Sequence, residues 1–154
     1  MEEESLVPAI EIDHIGHAVP NLEIAIDNYQ RIFGMVASDI KVVKQQGIRI
    51  AYLSLGNVKI ELMEPLNDKS PINKFLLRNP KGGIHHYCIV TDDINSSYDK
   101  AVSNQLNVLN MPTKGHHGRN LYFIHPSETN GALIEVEEPA KKWYIIFNKF
   151  INIT

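Results

Sequence analysis

The sequence predicts an α+β protein made of two βαβββ modules. Three observations predict it: apolar residues alternate with the period of strands, two helical stretches each follow a capping residue, and the whole pattern occurs twice. The copies cover about residues 11–65 and 83–139.

Each copy opens on a strand, "EIDHIGHA" in the first and "IHHYCIV" in the second. Setting His14 against His86 pairs Ala18 with Val90, Leu22 with Ile94 and Asp27 with Asp99. The helices then run over 21–33 and 93–105, where Asn21 and Asp93 are the N-caps, since a short side-chain oxygen accepts from the free amides of a helix start. Alternating runs follow, "IRIAYLSL" and "NLYFIHP". Gly56-Asn57 and Asn130-Gly131 predict hairpin turns, because both dipeptides tolerate positive φ. The last strands, "KIELMEP" (59–65) and "LIEVEEP" (133–139), match best: Ile60, Glu61, Glu64 and Pro65 have identical partners. The linker predicts a short helix at 71–78. Outside the repeat, Trp143, Ile146, Phe147, Phe150 and Ile151 give 141–152 the single apolar stripe of an amphipathic helix for packing within the chain or in a dimer.

With 154 residues, 44% of them hydrophobic and 21% charged, residues 1–154 suit one domain with a sizeable core. A net charge of −3 argues against nucleic acid or a membrane as partner. No apolar run reaches the roughly 18 residues of a spanning helix. The one cysteine, Cys88, fits a reducing compartment. "MEEESLVPA" resembles neither a secretory nor a transit leader, so a bacterial chain is expected in the cytoplasm, and a eukaryotic one, if a leader has been removed, in a mitochondrion or other organelle.

Side chains alternate along a strand, so His14, Gly16 and Ala18 share one face, as do His86, Cys88 and Val90. Glu61 and Glu135 stand mid-strand among Ile, Leu and Val. A buried lone carboxylate is costly, and two at equivalent positions call for a common partner. A divalent metal supplies one. His14, Glu61, His86 and Glu135 form a mixed nitrogen–oxygen donor set suited to Co, Mn, Ni, Zn or Fe. A lone strand histidine is more often packed or solvated; here both pairs recur in register. His17 and His85 fall on the opposite faces.

The segments "IDHIGHAVPNLEIAIDNYQRIFGM", "LGNVKIELMEPLNDKSPINKFL", "GGIHHYCIVTDDI" and "FIHPSETNGALIEVEE" resemble the vicinal oxygen chelate (glyoxalase-like) superfamily and, within it, the methylmalonyl-CoA epimerases. The resemblance implies paired βαβββ modules around a metal-containing cleft, a divalent ion often supplied as cobalt, with Mn, Ni or Zn as alternatives, and a homodimer. It carries the ligand positions onto His14, Glu61, His86 and Glu135; some members have glutamine at the second. The implied reaction interconverts (2R)- and (2S)-methylmalonyl-CoA, by loss and return of the C2 proton through a metal-stabilised enolate, in propionate metabolism. Inversion is simplest with two bases on opposite faces. Glu135 is one by resemblance. Some members place a second glutamate where this chain has Ile50, which takes no proton, so Glu61 is paired with Glu135 as the other, ahead of Gln46 or a metal-bound water.

The acyl-CoA substrate is anionic, and "TKGHHGRN" offers Lys114, His116, His117 and Arg119 to a phosphate or carboxylate. His125 is expected to pack near the site, and Cys88 to be a wall thiol, since no activating residue is evident. Glyoxalase I shares the ligand quartet, but "HPSETNGALIE" departs from the Asp-Pro-Asp-Gly type of turn expected there. A ring-cleaving dioxygenase needs only two histidines and one carboxylate. A non-catalytic sequestering protein often loses ligands, and this chain keeps all four candidates.

Overall fold

The computed structural model describes residues 5–140, and the helix expected at 141–152 lies outside them. The elements are β1 (Glu11–Ala18), α1 (Leu22–Phe33), β2 (Lys41–Val43), β3 (Ile48–Leu55), β4 (Val58–Pro65), α2 (Asn73–Arg78), β5 (Gly83–Val90), α3 (Ile94–Ser103), β6 (Thr113–Lys114), β7 (Asn120–Ile124) and β8 (Leu133–Glu137). The order βαβββ therefore occurs twice, with α2 in the linker. No helix among the described residues is long and apolar enough to cross a membrane.

The chain forms two compact bodies, one of residues 12–88 and one whose described parts are 5–11 and 89–140. In the first, the strands lie in the order β2-β3-β4-β1-β5. β1 runs parallel to β4, while β4–β3 and β3–β2 are antiparallel. A parallel pair needs a long crossover, and α1, β2 and β3 provide it. Asn21 accepts from the Ile24 amide at 2.8 Å and so starts α1 where expected, and Gly34 ends it in the left-handed region at φ 67°. Leu22 of α1 packs with Val19, Met35, Ala51, Leu53 and Leu62. The other sheet face buries Ala18, Val43, Ile48, Ile50, Met63 and Ile72. Arg49 clamps α1 to the sheet, donating to Glu64 at 2.6 Å and to Glu23.

In the second body β8, β7 and β6 are consecutive antiparallel neighbours. Asp93 caps α3 by accepting from the Asn95 and Ser96 amides. Ile94, Tyr122, Ile124 and Val136 form the core, with Ile89 and Tyr98 packed against it, and the Tyr122 hydroxyl meets Ser97 Oγ at 3.2 Å. One backbone bond recurs at the same repeat position: Val19 N–H donates to Met63 O, and Thr91 N–H to Glu137 O.

The two expected hairpins differ. Gly56-Asn57 joins β3 to β4 as a tight turn. Between β7 and β8 the chain first makes a 3-10 turn at Pro126–Glu128, and Asn130 and Gly131 close the loop at positive φ. Proline starts that extra turn because its fixed φ suits a helical first position. His125 serves this turn, its Nδ1 accepting from the Ser127 amide at 3.0 Å.

Candidate active site

Three of the four expected ligands converge in the first body. β1, β4 and β5 carry His14, Glu61 and His86 inward, at 2%, 4% and 4% exposure. The register sets Gly16 beside Glu61, with His14 one alternation away on the same face. His14 Nε2 lies 3.2 Å from His86 Nε2 and 3.5 Å from Glu61 Oε2. One ligand atom from each of the three falls within 4.8 Å of the others.

The donor set fits a divalent cation. Two buried imidazole nitrogens and a carboxylate oxygen gathered at one point make the mixed nitrogen–oxygen set that such an ion takes. Glycine at 16 makes the space. A Cβ there would lie 2.2 Å from His86 Cε1, so no side chain fits beside the ring.

Around this set stand residues not anticipated from the sequence. Tyr52 faces Glu61 across the β3–β4 ladder and donates to its Oε1 at 2.5 Å. Asp13 Oδ2 is 2.9 Å from His14 Nδ1, and Lys59 Nζ reaches Asp13 at 3.1 Å. His85 was expected to face away, yet its Nδ1 lies 3.0 Å from His86 Nδ1. Strand alternation sets where a side chain leaves the backbone, but a ring or carboxylate beside a neighbouring imidazole can turn back to it. The signal for Asp13 and His85 was present: they occupy the same position in the two copies. Cys88 is fully buried, its sulfur within 4.8 Å of ligand atoms of Asp13 and His14.

Glu135 belongs to the second body. It sits mid-β8 at 7% exposure, opposite Phe123 of β7. Glu137, two residues on, is 1% exposed and pairs with Arg119 at 2.8 Å. Of the four residues expected to bind substrate anions, Arg119 is thus engaged by Glu137 and also reaches the Glu138 carbonyl at 3.4 Å. Lys114 is exposed at the end of β6, and the His116 and His117 rings lie with centroids 3.7 Å apart and planes tilted by 44° in the following turn. That turn is closed by Gly115 N–H donating to Arg119 O and Gly118 N–H to Gly115 O. Ile50 is wholly buried in the apolar cluster with Met63 and offers no proton acceptor.

The chain belongs to the glyoxalase/bleomycin resistance protein/dioxygenase superfamily, whose family model matches residues 13–123. Within it, the chain is 38% identical to the mitochondrial methylmalonyl-CoA epimerase of Dictyostelium discoideum, over 82% of this chain and 77% of that one. It is 37% identical to the ethylmalonyl-CoA/methylmalonyl-CoA epimerase of Cereibacter sphaeroides, over 82% of this chain and 96% of the relative. Among solved structures, a variant of the Streptomyces coelicolor methylmalonyl-CoA epimerase in complex with 2-nitronate-propionyl-CoA superposes with a TM-score of 0.78 at 28% identity, covering 87% of this chain and 97% of that one.

Proposed function

We infer that this chain interconverts (2R)- and (2S)-methylmalonyl-CoA. The observation that carries the reading is the convergence of His14, Glu61 and His86, buried and within coordination reach of one another, in a chain whose relatives are epimerases of this substrate. His14, Glu61 and His86 would hold a divalent metal, and the repeat register puts Glu135 forward as the fourth ligand. Cobalt is the first choice; manganese, nickel and zinc suit the same donors. When bound, the ion supplies a Lewis acid for the negative charge that develops on the thioester oxygen as the C2 proton leaves, worth several kcal/mol.

The chain's own residues do the rest. Glu135 takes the proton on one face of C2, and Glu61, its partner in the repeat, serves the other. Lys114, His116 and His117 attract the anionic CoA portion, with Arg119 contributing through whatever of its guanidinium Glu137 leaves open. The active form is a homodimer, in the cytoplasm if the chain is bacterial and in a mitochondrion or other organelle if it is eukaryotic with a leader removed.

The test is solvent exchange. Metal-loaded protein is incubated with (2R)-methylmalonyl-CoA in deuterium oxide, and the C2 proton is followed by NMR. Exchange above the nonenzymatic rate, lost on chelation and accompanied by the 2S epimer, is the expected result. No excess exchange with cobalt bound overturns the reading. Glu61→Gln with full activity in both directions and metal still bound removes Glu61 as a base.

A further inference from the structure

We propose that Asp13 and His85, the residues just before the two histidines, are positioning residues that hold both imidazoles as Nε2 donors. The proposal rests on the metal reading of the site. Asp13 and His85 stand 72 residues apart, the same separation as His14 and His86. Each contacts the Nδ1 atom of the histidine that follows it, at 2.9 Å for Asp13 and 3.0 Å for His85. The Nε2 atoms then face each other at 3.2 Å.

The chemistry of each contact fixes a tautomer. An ionised carboxylate only accepts, so His14 carries its proton on Nδ1 and turns the Nε2 lone pair toward Glu61 and His86. Lys59 Nζ lies 3.1 and 3.3 Å from the two oxygens of Asp13 and orients that carboxylate. For His86 to offer Nε2, its proton must sit on Nδ1 and be donated to Nδ1 of His85. His85 then keeps its own proton on Nε2. The Phe75 ring meets the His85 ring edge-on, centroids 5.1 Å apart, and restrains it. Two chemically different residues thus perform one task at one repeat position. Outer partners of this kind orient a ligand ring and raise its basicity.

The experiment measures cobalt affinity by competition with a chelator and records the visible bands of the bound ion. Asp13→Ala and His85→Ala are each expected to weaken binding about 10- to 100-fold and to shift the bands. Asp13→Asn and His85→Gln keep an acceptor oxygen and are expected to recover most of the affinity. The melting temperature of the metal-free variants is expected to stay near that of the unaltered chain. Folded alanine variants that bind cobalt as tightly as the unaltered chain, with unchanged bands, overturn the proposal. Should Asp13→Ala not fold, His85→Ala decides, because His85 is only half-buried. An unaltered chain that binds cobalt but exchanges no substrate proton overturns the epimerase reading and leaves this comparison intact. One that binds no divalent ion overturns the proposal itself.

Discussion

The two repeats place a glutamate at the same position of their last strand and surround it differently. Glu61 faces Tyr52, whose hydroxyl takes up its Oε1; Glu135 faces Phe123, which has no hydroxyl to offer. Two residues further on, the first repeat buries Met63 in an apolar cluster with Ile48, while the second buries Glu137 against Arg119. Beside the histidines, the first repeat has Gly16 and the second Cys88. Duplicated topology supplies two similar frames, each contributing one of the paired imidazoles, and the substitutions within them give the second a buried ion pair where the first has an apolar cluster.

The largest expected effect comes from making the second repeat unlike itself. Arg119→Ala leaves Glu137, 1% exposed, without that guanidinium. Breaking a buried pair from one side costs about 3–5 kcal/mol, to be read by urea unfolding. Arg119→Ile with Glu137→Met copies Ile48 and Met63 of the first repeat and is expected to restore most of the loss, since apolar replacements of a buried pair are often neutral. Lys114→Ala, at an exposed position of the same hairpin, is expected to leave stability unchanged and raise KM for the CoA substrate. A raised KM with normal stability for Arg119→Ala would make substrate binding, and not the pair with Glu137, its main role.

Next is the pair Gly16 and Cys88. A methyl at position 16 would meet the His86 ring at 2.2 Å, so the ring must move. Overpacking of this kind costs about 1–3 kcal/mol, and it is expected chiefly as weaker cobalt binding. Cys88→Ala removes a buried sulfur and is expected to cost about 1 kcal/mol of stability with little change in cobalt affinity. Equal affinities for Gly16→Ala and the unaltered chain would show that His86 is not held where the site needs it.

Much of this was legible beforehand because the repeat carries its own alignment. Strand alternation and the shared register brought out His14, Glu61 and His86, and Asn21 and Asp93 as caps. What escaped was the second layer. Tyr52 reads as an ordinary half-buried strand aromatic until its cross-strand partner is known, and that partner depends on the Gly56-Asn57 turn length. Arg119 reads as a loop cation on offer to a substrate anion, because nothing in "HHGRN" reveals that Glu137 is buried opposite it. His85 was misjudged because alternation describes the Cα–Cβ direction and not the reach of a ring.

Tyr52 offers the next test. Tyr52→Phe makes the first repeat resemble the second and strips the hydroxyl from Glu61 Oε1. Leaving a buried acceptor without that donor costs about 1–3 kcal/mol in the metal-free protein, measurable by thermal unfolding. Bound cobalt is expected to reduce the difference, because the freed oxygen can join the ion. Phe123→Tyr, the reverse exchange, is expected to change stability by less than about 1 kcal/mol. A larger effect at Phe123 than at Tyr52 would reverse the assignment of which glutamate the fold holds by a phenol.

The smallest expected effect lies on the opposite face of β1. His17 Nδ1 meets the Tyr29 hydroxyl of α1 at 3.0 Å, where the second repeat has Ile89. Burial lowers the His17 pKa below 6.5, because the charged ring loses water. Burial likewise raises the Tyr29 pKa, so the phenol stays protonated and donates to the neutral ring. Between the lowered folded value and the unfolded value near 6.5, the unfolded chain binds more protons. This residue therefore makes stability fall as pH drops through that window; above it His17 is neutral in both states and contributes no slope. His17→Ile, copying the second repeat, is expected to flatten that part of the stability–pH curve in urea unfolding while leaving the shape at higher pH unchanged. An unaltered slope would place the acid sensitivity elsewhere and make the His17–Tyr29 contact a packing choice equivalent to isoleucine.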